Sequence, residues 1–204
     1  MPADFAHRFD QGTSPFTLLV LHGTGGDEND LAPIGRSLAP GASILSPRGK
    51  VLEAGAPRFF ARVAPGVFDA NEIRERAGEL AEWIRSAAAE YKLEPAKIFA
   101  FGYSNGANIA SSVMLLDPGV IAGSVLLRPM IVIEPRELPD LKGAPVLISA
   151  GKVDSMTPPG DTEKLARMLT EAGATVDLAM QNAGHDLLPQ DFAVAKRWLA
   201  ETLK

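Results

Sequence analysis

Ser104 sits in Gly102-Tyr103-Ser104-Asn105-Gly106, directly after the apolar run 97–101 and before a helical pattern that starts near Asn105. A Gly-x-Ser-x-Gly pentapeptide between a strand and a helix holds its serine on a sharp, strained turn, with Oγ exposed at the strand's carboxyl end. The flanking glycines leave room where a Cβ would clash with the neighbouring strand or helix. The helix behind the turn directs its N-terminus at the same point and favours a developing negative charge. These features make Ser104 a candidate nucleophile. A hydroxyl is a weak nucleophile until a neighbouring base takes its proton. The competing reading of the pentapeptide, taken singly, is a glycine-rich turn with an ordinary serine.

Two later residues could complete such a nucleophile. Asp154 follows the apolar run 145–150 in Gly151-Lys152-Val153-Asp154, and His185 follows the run 175–180 in Ala183-Gly184-His185-Asp186. The chain order Ser104, Asp154, His185 is one of the known orders of a Ser-His-Asp triad. All three residues come after strand carboxyl ends, where open α/β sheets bind ligands. Each alone has a bland reading: Asp154 as a loop or cap residue, His185 as a structural histidine. The combination with the serine turn favours the triad. His7 lies in an expected edge strand, and His22 is expected to brace a loop by hydrogen bonding. Asp186 adjoins His185, but adjacent side chains rarely face each other, so Asp154 is the preferred acid.

Acyl transfer also needs two N–H donors aimed at the oxyanion. The glycine-rich turn Gly23-Thr24-Gly25-Gly26-Asp27 follows the apolar run 17–22. The backbone N–H groups of Thr24 and Asn105 are the candidate pair. A phosphate-binding loop is the other reading of this turn, since a helix over 27–38 is expected to follow. It lacks Gly-Lys-Ser/Thr, its glycine spacing is not Gly-x-Gly-x-x-Gly, and Asp27 and Glu28 would repel phosphate. Asp27 reads better as the helix N-cap.

Positioning these groups requires a sheet. Short apolar runs at 17–22, 43–46, 97–101, 124–127, 145–150 and 175–180 read as buried parallel strands, and 5–9 as an edge strand. Between them, 71–90, 105–116, 162–172 and 192–203 carry apolar residues at helical spacing, with Gly173 a candidate C-cap. Asp177, alternating within its strand, is expected to face solvent. Alternating strands and helices predict one doubly wound α/β domain over residues 1–204, with a mostly parallel sheet of about seven strands and no large cap domain. The segment 47–69 fits neither pattern; it is either a functional loop or a short hairpin. Its apolar residues, above all Phe59 and Phe60, are expected to wall a substrate pocket, with core filling as the alternative.

Composition narrows the chemistry. The 204 residues are 46% hydrophobic and 22% charged, which fits a globular chain with enough surface to bury a core. There is no cysteine, which excludes disulfides, thiolate nucleophiles and Cys-ligated metals. Three histidines make a multi-His metal site a poor reading, and no cofactor or metal is expected. A net charge of −5 argues against nucleic acid or an anionic membrane as main partner. The first ten residues show no secretory pattern and no run reaches a membrane span, so a cytoplasmic protein without a membrane anchor is expected. The sequence leaves a homodimer open.

With these residues in view, the chain resembles the small bacterial carboxylesterase/phospholipase family of α/β hydrolases, which includes the acyl-protein thioesterases. The resemblance rests on LHGTGGDEND (21–30), SPRG (46–49), FGYSNGANIA (101–110), LLRPM (126–130), SAGKVDSMTP (149–158) and NAGHDL (182–187), and spans about 17–203. It implies a serine hydrolase acting on a small-molecule carboxylic ester through an acyl-enzyme, with Ser104 as nucleophile, His185 as base, Asp154 as its partner, and Thr24 and Asn105 as oxyanion donors. The missing cysteine sets the chain apart from dienelactone hydrolase, a relative with a cysteine nucleophile. Thioesterase, lysophospholipase-like and acyltransferase activities, and a silent scaffold that only binds, remain the alternatives.

Overall fold

The structure, a computed structural model, describes residues 4–64 and 66–204. Its seven-stranded sheet runs in the order β1 (His7–Asp10), β3 (Ser43–Pro47), β2 (Thr17–Leu21), β6 (Ile98–Tyr103), β7 (Gly123–Leu127), β8 (Pro145–Gly151), β9 (Thr175–Gln181). Only β1 is antiparallel to its neighbour, pairing His7 with Pro47 and Asp10 with Ile44. The other pairs are parallel, as the apolar runs predict.

Strands β2, β3 and β7 are buried at every residue, because helices cover both faces of the sheet. Successive side chains of β2 alternate between two cores. Leu19 and Leu21 point into the core shared with α2 (Ala70–Tyr91), α3 (Asn105–Leu116) and α4 (Asp161–Glu171). Leu18 and Val20 face α1 (Ala32–Leu38) and α5 (Pro189–Thr202). Helix α2 buries Ile73, Ala77, Leu80, Ala81 and Ile84 along one stripe and is capped by Asp69, whose carboxylate accepts the Asn71 N–H. Asp177 is exposed on β9 and accepts the Trp198 indole N–H at 2.7 Å.

One local expectation is corrected and one left open is decided. The helix expected from Asp27 starts only at Ala32, with Leu31 rather than Asp27 at the cap. Asp27 instead accepts the Asn29 N–H at 2.7 Å, and Asp30 accepts the Asp27 N–H at 3.1 Å. Such short side-chain bonds compete with helical ones, and Pro33 then suits the first turn. The segment 47–69 contains a hairpin, β4 (Val51–Glu53) with β5 (Ala56–Arg58). It turns through Ala54 and Gly55, both at positive φ, 51° and 84°, as a two-residue primed turn requires.

At the junction of β6 and α3 the packing is tightest. A Cβ on Gly106 would stand 2.1 Å from the Leu21 carbonyl oxygen and 2.6 Å from that of His22. Gly106→Ala should therefore destabilise the protein by about 1–3 kcal/mol or more. Gly78 is exposed on α2, and a Cβ there would meet nothing within 4 Å, so Gly78→Ala should stabilise the protein by about 0.5–1 kcal/mol. Urea unfolding of both variants checks the pair; equal effects would overturn this account of the junction.

Candidate active site

Ser104 has φ 50° and ψ −113°, a left-handed conformation rare for a residue with a side chain. The turn is held by the Ser104 N–H donating to Leu127 O and the Asn108 N–H donating to Ser104 O, both at 2.9 Å. The result is a hydroxyl projecting from the carboxyl end of β6. His185 Nε2 lies 2.9 Å from Ser104 Oγ, and His185 Nδ1 lies 2.9 Å from Asp154 Oδ2. An ionised carboxylate only accepts, so Nδ1 carries the proton and Nε2 is left to accept from the serine hydroxyl. Asp186 is not the partner: its carbonyl, not its carboxylate, is engaged locally, by Arg128.

The Asp154 side chain is 3% exposed. Burial pushes its carboxyl up, but hydrogen bonds from His185, the Met156 N–H and the Thr157 hydroxyl outweigh burial and hold it below the usual carboxylate range. The turns carrying Asp154 and His185 are laced together: the Lys152 N–H donates to Gln181 O and the Val153 N–H to Ala183 O. Tyr103 lies against the His185 ring, with centroids 5.6 Å apart, and its hydroxyl donates to His185 O. Burial keeps that phenol protonated and able to donate.

The Thr24 turn is braced from below. His22 is buried, donates from Nδ1 to Gly23 O at 2.7 Å, and accepts the Gly49 N–H on Nε2 at 2.9 Å. The other histidine, His7, bonds Phe5 O and the Tyr91 hydroxyl on the edge strand. Asn105 Oδ1 accepts the Phe59 N–H at 2.7 Å, which fastens the 47–69 segment to the start of α3.

An open cleft of about 760 Å³ includes Thr24, Ser104, Asn105, Asp154 and His185 in its lining. Its apolar wall comprises Phe68, Met130, Met156, Pro158 and Pro159. Phe59 and Phe60 are not among the lining residues, a correction to the expected pocket. They are 3% and 0% exposed: Phe59 packs on the His22 ring and Phe60 edge-on to Phe68. Both rings are turned inward, and Phe68 is the ring that faces the cleft. The sequence reading also passed over Arg58, buried beside the cleft, which donates to Thr24 Oγ1 and Phe60 O. It passed over Asp191, buried and paired with Arg128. A buried partner is the signal for either, and burial is not written in the local sequence. No group of three or more His, Cys, Asp or Glu able to hold a metal occurs among the described residues.

The family model described as "Dienelactone hydrolase family" matches residues 62–195. The chain belongs to that family. It is also 42% identical over 197 residues to the protein MhqD of Bacillus subtilis, covering 97% of this chain and 98% of that one. A crystal structure of a Bacillus cereus carboxylesterase superposes with a TM-score of 0.94 at 41% identity, covering 98% of this chain and 95% of that one. A Mesorhizobium loti carboxylesterase gives 0.86 at 36% identity, covering 93% and 90%. The protein is thus an α/β hydrolase related to bacterial carboxylesterases. The family is wider than the cysteine enzyme from which the sequence reading set this chain apart: membership holds although the chain has no cysteine.

Burial holds the His22 pKa below its ordinary value, against the opposing pull of the Gly23 carbonyl and nearby Asp30, Asp27 and Glu28. The unfolded chain therefore takes up this proton at a higher pH than the folded protein does. The stability linked to neutral His22 is full above about pH 6.5 and is lost as the pH falls below it. Urea unfolding from about pH 7.5 down to about 5.5 should show falling stability, with a shallower fall in His22→Gln. Identical slopes would remove His22 as a source of the pH dependence.

Proposed function

We propose that the protein is a serine carboxylesterase in which Ser104, His185 and Asp154 form the catalytic triad. The observation that carries this reading is the unbroken relay from Ser104 Oγ to His185 to Asp154, at 2.9 Å and 2.9 Å. Ser104 Oγ attacks the ester carbonyl carbon while His185 Nε2 takes the hydroxyl proton. Asp154 keeps the imidazole in its tautomer and stabilises the imidazolium. The tetrahedral oxyanion then collapses, the C–O bond to the alcohol breaks, and His185 returns its proton to the departing oxygen. Water, deprotonated by the same histidine, attacks the acyl-enzyme and releases the acid.

The Thr24 and Asn105 N–H groups are the proposed oxyanion donors. Asn105 is the first residue of α3, so its N–H is among the four a helix leaves without an intrahelical acceptor. Gly25 and Gly26 donate to Pro57 O and Gly23 O, which shapes the turn around Thr24. In support of the ester class, two of the similar solved proteins are named as carboxylesterases. The low, open wall suits short to medium acyl groups, about C2–C8 on a scale of ~0.8 kcal/mol per buried methylene.

Ser104→Ala should fold normally yet lose ester turnover by roughly 10⁵-fold or more. Asp154→Asn should lower kcat by about 10³–10⁴-fold with little change in KM. A panel of p-nitrophenyl esters and acyl thioesters, with an organophosphate to label the nucleophile, tests both. Undiminished turnover in Ser104→Ala, or labelling at another residue, overturns the assignment.

Phe68 takes over the role first expected of Phe59 and Phe60. Phe68→Ala should raise KM for the longer acyl esters of the panel more than for acetate. A wild-type chain-length profile in the folded variant would place the acyl group elsewhere.

A further inference from the structure

We propose that Arg128 is the positioning residue for His185, holding the catalytic loop through its backbone carbonyls. Arg128 lies in the LLRPM stretch just beyond β7, buried and with a left-handed φ of 53°. Its guanidinium uses all five of its N–H groups. Nε donates to Gly184 O at 2.9 Å, and Nη2 donates to Asp186 O at 3.1 Å. Nη1 donates to Ser149 O at 3.2 Å, and the two terminal nitrogens grip Asp191 Oδ1 and Oδ2 at 2.8 Å each.

The Asp191 carboxylate is equally committed. It also accepts the Ser149 hydroxyl at 2.6 Å and the Leu188 N–H at 2.7 Å. The guanidinium is therefore fixed by a buried, bidentate anion and by the Ser149 carbonyl of β8, and presents its two remaining donors to the loop. Those donors meet the carbonyls on either side of His185. The carbonyl of His185 itself accepts from the Tyr103 hydroxyl at 3.3 Å. Three successive carbonyls, of residues 184, 185 and 186, are thus held from the sheet, and the imidazole between them has its backbone set before substrate arrives. A lysine carries one compact ammonium and cannot span two carbonyls and a carboxylate in one plane.

The kinetic half of this inference rests on the hydrolase reading above. It is tested on the full chain with Arg128→Lys, using three measurements: kcat per site titrated with an organophosphate, KM, and the downfield proton resonance of His185 Nδ1–H hydrogen-bonded to Asp154. A positioning role predicts kcat per titrated site lower by about 10–100-fold, KM within about two-fold, and a weakened or absent resonance. If melting temperature drops while kcat per site and the resonance match wild type, Arg128 is structural only and the inference is overturned. Where Arg128→Lys does not fold, Arg128→Met/Asp191→Asn removes both charges, so that neither is left unpaired, and is judged by the same measurements. A wild-type protein that cleaves no ester and takes no label at Ser104 would defeat the hydrolase reading alone. The resonance, compared between wild type and variant, would still decide the positioning.

Discussion

The contact between the first turn of α3 and the carboxyl end of β2 is the constraint on which the site depends. At Gly106 the helix backbone runs so close to the Leu21 and His22 carbonyls that no Cβ fits, and at Gly102 a Cβ would stand 2.6 Å from the Gly106 carbonyl oxygen. This approach leaves too little chain to turn from strand to helix without strain. Ser104 absorbs that strain at positive φ, a conformation that costs on the order of 1–3 kcal/mol and persists only where the surroundings enforce it. The same turn projects the hydroxyl, starts α3 at Asn105, and sets the Asn105 carboxamide where it holds Phe59 and, through it, the 47–69 segment.

The sheet then brings distant residues together. β2, β6, β7, β8 and β9 are adjacent in that order, and the segments leaving their carboxyl ends carry Thr24, Ser104, Arg128, Asp154 and His185. Parallel strands share one carboxyl edge, so each crossover returns the chain to the same side of the sheet. Between Ser104 and Asp154 stands Arg128. Burial opposes ionisation of its partner Asp191, but Arg128, the Ser149 hydroxyl and the Leu188 N–H prevail and keep the carboxyl below its usual range. A buried pair of this kind often adds no stability over apolar residues of similar volume, although breaking it is costly. Its value lies in direction, since an apolar side chain would fill the space without holding a carbonyl.

The details that the sequence left open or misplaced share one cause. Ala54-Gly55 makes a primed hairpin turn, but the sequence signal for such a turn is Asn-Gly or Asp-Gly. Alanine takes the left-handed conformation here within the hairpin packed beside the Thr24 turn, where the Gly25 N–H donates to Pro57 O. Asp27 has the residue type of an N-cap, yet the Asp27 and Asp30 side chains turn the chain before the helix can begin. Phe59 and Phe60 differ from Phe68 in nothing that their side chains reveal. Which ring meets the core and which meets the cleft is set by the path of the 47–69 segment in the fold.

By itself the sequence determined the main strands and helices and their order, because short apolar runs suit the strands of a parallel sheet and stripes at helical spacing suit helices on its faces. It also marked Ser104, through glycines that a strand-to-helix turn requires, and singled out Asp154 and His185 as residues that follow strand ends. Those signals are local, written in residue type and short spacing. The tertiary structure decided that Asp154 rather than Asp186 faces His185, that Phe68 rather than Phe59 or Phe60 lines the cleft, and that Arg128 and Asp191 meet in the interior beneath the His185 loop. Each of these depends on the relative placement of segments far apart in the chain. Strand order and packing set that placement, and no short stretch of residues encodes it.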